Sequence, residues 1–201
     1  MNIDFELIRN KQRIAVIGNE GTLEITKIAC HVLETIGKPY DYILADGSTK
    51  ITEAPLVLLQ GDDHISEGET QAEFLKLRHH MALIHHIEDV FPKEYENLDE
   101  YFRQYEVLAD RTPKGGTIIY NKEDNLAMVV GTQRDREDVR LIEYTSLEMA
   151  KTDNGFVLDG VQFGTANKNF PSYAGAVKSL LSRLGVSGEQ FLTALESYQD
   201  N

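Results

Sequence analysis

Gly18-Asn19-Glu20-Gly21 joins two apolar segments with the spacing of a turn that cradles anions. The preceding residues, Arg13-Ile14-Ala15-Val16-Ile17, predict a short buried strand, and a helix is predicted from Thr22 to about Ile36. A strand, a Gly-x-x-Gly turn and a helix N-terminus aim free backbone N–H groups and the positive end of the helix dipole at one spot. Nucleotide-binding versions carry Lys and then Ser or Thr after the second glycine, a cation for the phosphates and a hydroxyl for Mg²⁺. Here those places hold Thr22 and Leu23, while Glu20 and Glu24 put negative charge where a polyphosphate would sit. Carboxylates at a helix N-terminus stabilise it by about 0.3–1 kcal/mol. The loop thus predicts the architecture of a nucleotide site without its chemistry, its anion site filled from within.

A second cluster lies further on. His64, His79, His80, His85 and His86 fall in one short region beside Asp62, Asp63, Glu88 and Asp89. The C-terminal ends of neighbouring strands converge where ligands bind in a doubly wound sheet. Asp62, Asp63, His64, His85, His86 and Glu88 are therefore candidate ligands for Zn²⁺ or another divalent ion. Successive strand residues point to opposite faces, so His85 and His86 cannot both be ligands from regular strand geometry. No H-x-x-x-H or C-x-x-C spacing supports a metal, and polar residues at loops and strand ends are the plainer reading.

These groups must be positioned by an alternating framework. Strands are predicted at Tyr40–Ala45, Pro55–Gln60 and Met81–His86, and helices at Glu67 to about Leu77 and Leu98 to about Leu108. Strand–helix alternation argues for a parallel sheet with right-handed crossovers. Beyond the turn signal Arg111–Gly116 the texture changes to short strands, Thr117–Tyr120, Leu126–Val130, Val139–Tyr144 and Phe156–Phe163, read as antiparallel or mixed sheet. Two helices close the chain, Pro171 to about Leu184 and Ser187 to about Tyr198. The expected organisation is a lead-in over 1–12 and one domain over 13–201. That domain comprises a parallel βα half (13–110), a short-strand region (111–170) and closing helices (171–201). The fold class is α/β, a three-layer P-loop-like domain with a mostly parallel sheet and a smaller antiparallel extension.

Composition narrows the function classes. A net charge of −13 argues against a nucleic-acid face or an anionic membrane surface, since both need clustered Lys and Arg. Nothing resembles a signal peptide, and no run approaches the roughly 18 apolar residues of a membrane helix. The single cysteine, Cys30, excludes an internal disulfide and reads as a core residue of the first long helix. A cytoplasmic protein of ordinary globular composition, 41% hydrophobic and 26% charged, is expected.

Taken in order, the segments resemble the central, ATP-binding domain of the Mur ligases, most of all those that attach amino acids or peptides to UDP-N-acetylmuramate. Ile17–Leu23 sits where the family has Thr-Gly-Thr-x-Gly-Lys-Thr, and Leu59-Gln60-Gly61-Asp62-Asp63 resembles its strand end, Glu-Ala-Asp-Glu. His80–Phe91 parallels Pro-x-x-Ala-Val-Ile-Thr-Asn-Ile-Glu-x-Asp-His. Thr112–Asp124 is the closest match, Pro-x-Gly-Gly, a strand, then Asn-x-Asp-Asp. Leu184-Gly185-Val186 and Ala194–Tyr198 resemble the family's final helices. The resemblance covers roughly 12 to 201. It implies that the N-terminal UDP-sugar domain and the C-terminal closing domain of full-length ligases are missing here.

The resemblance also implies which chemistry is lost. The family couples ATP and a carboxylate into an acyl phosphate that an amine then attacks. In this chain the loop Lys becomes Thr22, its Mg²⁺-binding hydroxyl becomes Leu23, and the strand-end Glu becomes Gln60, a poor ligand for a hard cation. The family His falls at Phe91 and the preceding Asp at Val90. Asn121 and Asp124 match positions near the family's adenine and ribose pocket and are candidate nucleoside contacts, although Asn121 also reads as a turn residue. The family's His-Asn-x-x-Asn reads Asn169–Tyr173.

The expected function is non-catalytic: a degenerate, free-standing homologue acting as a binding or scaffold module in cell-wall metabolism. No cofactor is expected, with ATP and Mg²⁺ only if the degenerate loop still binds them. A partner protein would supply or replace the missing domains. The alternative is an enzyme, with ligase chemistry completed by a partner chain or with a divalent-metal activity at the His/Asp strand ends.

Overall fold

The computed structural model describes residues 3–88, 90–132 and 136–199. Its centre is β1 (Gln12–Ile17), whose last four residues are buried on both faces of the sheet. Ile14 and Val16 enter one core, Ala15 and Ile17 the other. Such a continuous apolar strand is what a parallel sheet covered on both sides requires.

A short helical turn, α1 (Phe5–Ile8), precedes β1. After β1 come α2 (Thr22–Thr35), β2 (Asp41–Ile43), β3 (Thr49–Lys50), β4 (Leu56–Gln60), a 3₁₀ turn (Glu73–Leu77), β5 (Met81–Ile84), α3 (Leu98–Asp110) and β6 (Thr117–Asn121). The chain continues through α4 (Asn125–Thr132), β7 (Arg140–Tyr144), β8 (Ala150–Thr152), β9 (Gly155–Leu158), β10 (Val161–Phe163), α5 (Phe170–Ser182) and α6 (Gly188–Glu196). The main sheet runs β3-β2-β4-β1-β5-β6-β7, parallel throughout except for β3, and β10-β9-β8 form a small antiparallel sheet. Helices α2, α5 and α6 share one apolar core with the small sheet; α3, α4 and the 3₁₀ turn occupy the opposite face. Phe170 of α5 joins the small sheet to the helices, its ring 5.9 Å from Phe163 and 6.2 Å from Phe156.

Helix ends follow local chemistry. Helix α2 stops in a Schellman arrangement: Gly37, at φ 68°, donates to the Glu34 carbonyl and Lys38 to that of Leu33. Helix α6 starts with a capping box between Ser187 and Gln190.

The structure corrects several expectations. Leu126–Val130 is not a strand but the interior of α4. A short apolar run does not distinguish strand from buried helix, and here Asp124 decides it by accepting the Ala127 N–H at 2.7 Å. The helix predicted over 67–77 shrinks to the 3₁₀ turn, behind a bridge between Ile65 and Ala72. Phe156–Phe163 is a hairpin rather than one strand, because Asp159-Gly160 adopts positive φ at both positions, 51° and 83°. The short-strand region therefore divides: β6 and β7 extend the parallel sheet, and only β8–β10 are antiparallel. Strands β3 and β8 were not predicted.

Candidate functional site

Strands β1 and β5 are neighbours whose crossovers diverge, β1 through α2 toward β2 and β5 through α3 toward β6. Diverging connections open a crevice beyond the C-terminal ends of such a pair. Gly18–Gly21 enter it from β1 and His85–Glu88 from β5. The two segments are laced together: Asn19 N–H donates to the His86 carbonyl (3.1 Å) and Glu88 N–H to Asn19 Oδ1 (3.2 Å). Gly18, at φ 147°, sits so close that a Cβ would lie 2.8 Å from the His86 carbonyl oxygen.

The mouth of the loop is covered by the protein itself. Gly21 begins α2 at φ 73° without any side-chain cap, and the first N–H groups of a helix have no intrahelical acceptor. Tyr173, from the first turn of α5, lies over this point, with a Cβ on Gly21 falling 2.4 Å from Tyr173 Cε1 and 3.1 Å from His85 Cδ2. Asn169 donates to Glu20 Oε1 (2.9 Å) and stands 3.4 Å from the Tyr173 hydroxyl. Thr22, where the resemblance puts the loop lysine, is buried and accepts from Gln60 Nε2 at 3.2 Å. The other end of the Gln60 amide accepts the Ala45 N–H at 3.1 Å. Leu23 faces away, along a depression with Cys30 and Tyr42. A neutral amide whose oxygen already accepts the Ala45 N–H is a poor ligand for a hard cation and Leu23 has no donor atom at all, so these residues fit a nucleotide-bound Mg²⁺ poorly.

The histidine cluster separates. His85 is buried, its Nδ1 2.5 Å from the Tyr144 hydroxyl and its ring edge-on to Tyr173. Burial, with His86 beside it, pushes this imidazole down to about 4, so it is neutral at physiological pH. His86 points the other way, with Nδ1 2.5 Å from Asp124 Oδ2, and that hydrogen bond raises its pKa. Burial pushes the Asp124 carboxyl up, but His86 and the Ala127 and Ile87 N–H groups hold it below its usual value.

Glu20, His86 and Glu88 bring one ligand atom each within 4.8 Å of one another. Asp62, Asp63 and His64 form another such group, in which His64 Nδ1 lies 2.9 Å from Asp62. Asp63 of that group is buried and accepts from the Tyr101 hydroxyl at 2.8 Å. The six candidate ligands therefore do not form one crest, and His85 joins neither group. Asp89 lies outside the described residues. Asn121 is buried at the end of β6, where its Oδ1 accepts the Glu123 N–H (3.0 Å) as in a turn.

Tyr144 and Tyr173, absent from the sequence candidates, close the site. Tyr173 lies far along the chain from Gly21, as Tyr144 does from His85, and no local spacing signals either contact.

No family model matches the chain. A UDP-N-acetylmuramate–L-alanine ligase from Aquifex aeolicus is 27% identical over 210 residues, covering 97% of this chain and 46% of that protein. The chain spans less than half the length of the curated relatives from Aquifex aeolicus and Streptomyces avermitilis. Among solved structures, the UDP-N-acetylmuramate:L-alanyl-gamma-D-glutamyl-meso-diaminopimelate ligase from Neisseria meningitides superposes with a TM-score of 0.79. It is 16% identical over 96% of this chain and 68% of its own. A Mycobacterium tuberculosis folylpolyglutamate synthase, solved with ADP and AMPPCP, reaches 0.71 at 9% identity, over 96% of this chain and 60% of its own.

Proposed function

This chain is a homologue of the UDP-N-acetylmuramate–L-alanine ligases with the fold of the Mur ligases, and on that premise we propose that its crevice has given up nucleotide. It acts as a binding or scaffold module of cytoplasmic peptidoglycan metabolism, beside a partner protein that supplies catalytic domains. The observation that carries this reading is the closed loop mouth. Tyr173 covers Gly21, Asn169 ties down Glu20, and Thr22 and Gln60 bond each other where a lysine and a Mg²⁺ ligand would be needed. Each charge-assisted hydrogen bond that a triphosphate would need here and does not find is worth on the order of 1.5–3 kcal/mol, so affinity falls by several orders of magnitude. A loop of this composition also withholds the positioning and cation support on which phosphoryl transfer depends.

Isothermal titration calorimetry of the metal-stripped protein with Mg²⁺ and millimolar ATP tests it. No heat is expected from the folded protein. A Kd tighter than about 100 μM, roughly −5.5 kcal/mol, overturns the reading and favours ligase chemistry completed by a partner.

One observation favours a second reading, in which the crevice holds a divalent cation. Asp124 accepts from His86 Nδ1 and leaves Nε2 to Glu88 and Glu20, the carboxylate–histidine arrangement that orients a metal ligand.

A further inference from the structure

At the opposite end of the sheet, beside the N-terminal ends of β1 and β5, lies a cavity of about 610 Å³. Arg13, Lys76, Arg78, Arg111, His79 and His80 line it, and no carboxylate does among the described residues. In a chain with a net charge of −13 this is a local reversal of sign.

Two details point to a ligand. His80 Nδ1 lies 3.1 Å from the Arg13 backbone N–H, and His80 Nε2 lies 3.1 Å from Arg13 Nη2. Arginine only donates, and a neutral imidazole accepts on one nitrogen alone. One imidazole N–H therefore meets another donor, and an anionic oxygen beside the pair would accept from both. The second detail is Arg78, which holds φ 49° and ψ 47° at the end of the 3₁₀ turn. This left-handed conformation is strained for a non-glycine residue, and such outliers cluster at ligand clamps. Its carbonyl accepts from Arg13 Nε (2.7 Å), a role glycine would fill without strain. Its exposed guanidinium lies 4.6 Å from the Phe5 ring centroid, over the ring face. Lys76 is paired with Glu69 and Glu73, and the Arg111 guanidinium donates to the neutral Gln71 at 3.1 Å. The guanidiniums of Arg78 and Arg111 thus face the cavity with no carboxylate partner among the described residues.

We propose that this cavity binds a small multivalent oxyanion, phosphate- or carboxylate-bearing, between the Arg78 and Arg111 guanidiniums and the Arg13–His80 pair. Planar guanidinium forks match both oxyanion types, and the volume suits a small-molecule site.

The test is calorimetric titration of the full chain with pyrophosphate and with citrate, at ionic strength matched with NaCl. Saturable binding of at least one probe, with Kd below about 1 mM, is expected. The double variant Arg78→Ala/Arg111→Ala should raise that Kd at least tenfold. Both residues are exposed, and circular dichroism checks that the variant folds. The tighter probe identifies the oxyanion as phosphate or carboxylate. Failure of both probes to saturate by about 10 mM, or unchanged affinity in a folded double variant, overturns the proposal. The second outcome would place the anion elsewhere, including the loop between β1 and α2.

Discussion

The Tyr173 ring lies so close over Gly21 that a β-carbon there would stand 2.4 Å from Cε1. A contact between the first turn of α5 and the residue just before α2 thereby leaves no room for a side chain at Gly21. Gly21→Ala combines a left-handed backbone, which costs roughly 1–2 kcal/mol, with an overpacked contact of about 1–3 kcal/mol. Urea denaturation should show a loss of about 2–5 kcal/mol. In a Tyr173→Ala background the steric part disappears, so the two substitutions should couple by at least about 1 kcal/mol. Additivity within about 0.5 kcal/mol would mean that the ring does not press on the loop.

The Glu20→Thr/Thr22→Lys/Leu23→Thr variant returns the loop to a nucleotide-binding composition. It should lose up to about 1 kcal/mol of stability with the Glu20 carboxylate and gain measurable heat with Mg²⁺ and ATP. Unchanged stability together with no binding would remove the basis for the view that Glu20 fills the anion site from within.

His86 carries the cation reading. Metal-stripped protein titrated with Zn²⁺ should bind one ion. His86→Ala should abolish this binding, and Asp124→Asn should weaken it about 10–100-fold through loss of the orienting carboxylate. Equal Zn²⁺ affinity in wild type and His86→Ala would end that reading.

Acid stability should depend on His79, which is buried and bonds Thr112 Oγ1 through Nε2 at 2.8 Å. Burial, with His80 and Arg13 nearby, lowers its pKa to about 4. The unfolded chain, with an ordinary value near 6.5, takes up that proton first as pH falls. Stability is therefore full above about 6.5 and lost toward pH 4, by on the order of 3 kcal/mol. Denaturation midpoints for His79→Gln should fall less steeply across this window than those of the wild type. An identical slope would show that His79 does not supply it.

Lys11 and Asp41 form a buried ion pair, Nζ to Oδ2 2.8 Å, that fastens the start of β1 to β2. Asp41 Oδ1 also accepts from the Thr52 N–H and hydroxyl. Removing one partner leaves an uncompensated buried charge, so Asp41→Ala should cost about 3–5 kcal/mol by chemical denaturation. A cost under about 1 kcal/mol would mean that the pair behaves as an exposed one.

The parallel framework and the turn between β1 and α2 were legible in the residues alone. Apolar continuity in Ile14–Ile17 and Leu56–Leu59, with Gly18 and Gly21 at the turn, encodes buried strands and an anion-type turn through near-neighbour physics. The sequence alone misread Leu126–Val130, because a five-residue apolar run has no period of its own and the Asp124 cap fixed the outcome. It held both His85 and His86 as candidate ligands although strand alternation parts them, and the structure does send one toward Tyr144 in the core and the other toward Asp124. Tyr173 over Gly21 and Arg13 against His80 join residues 152 and 67 positions apart. Those contacts follow from crossover topology and packing rather than local preference, because only the folded arrangement brings such distant side chains to one place.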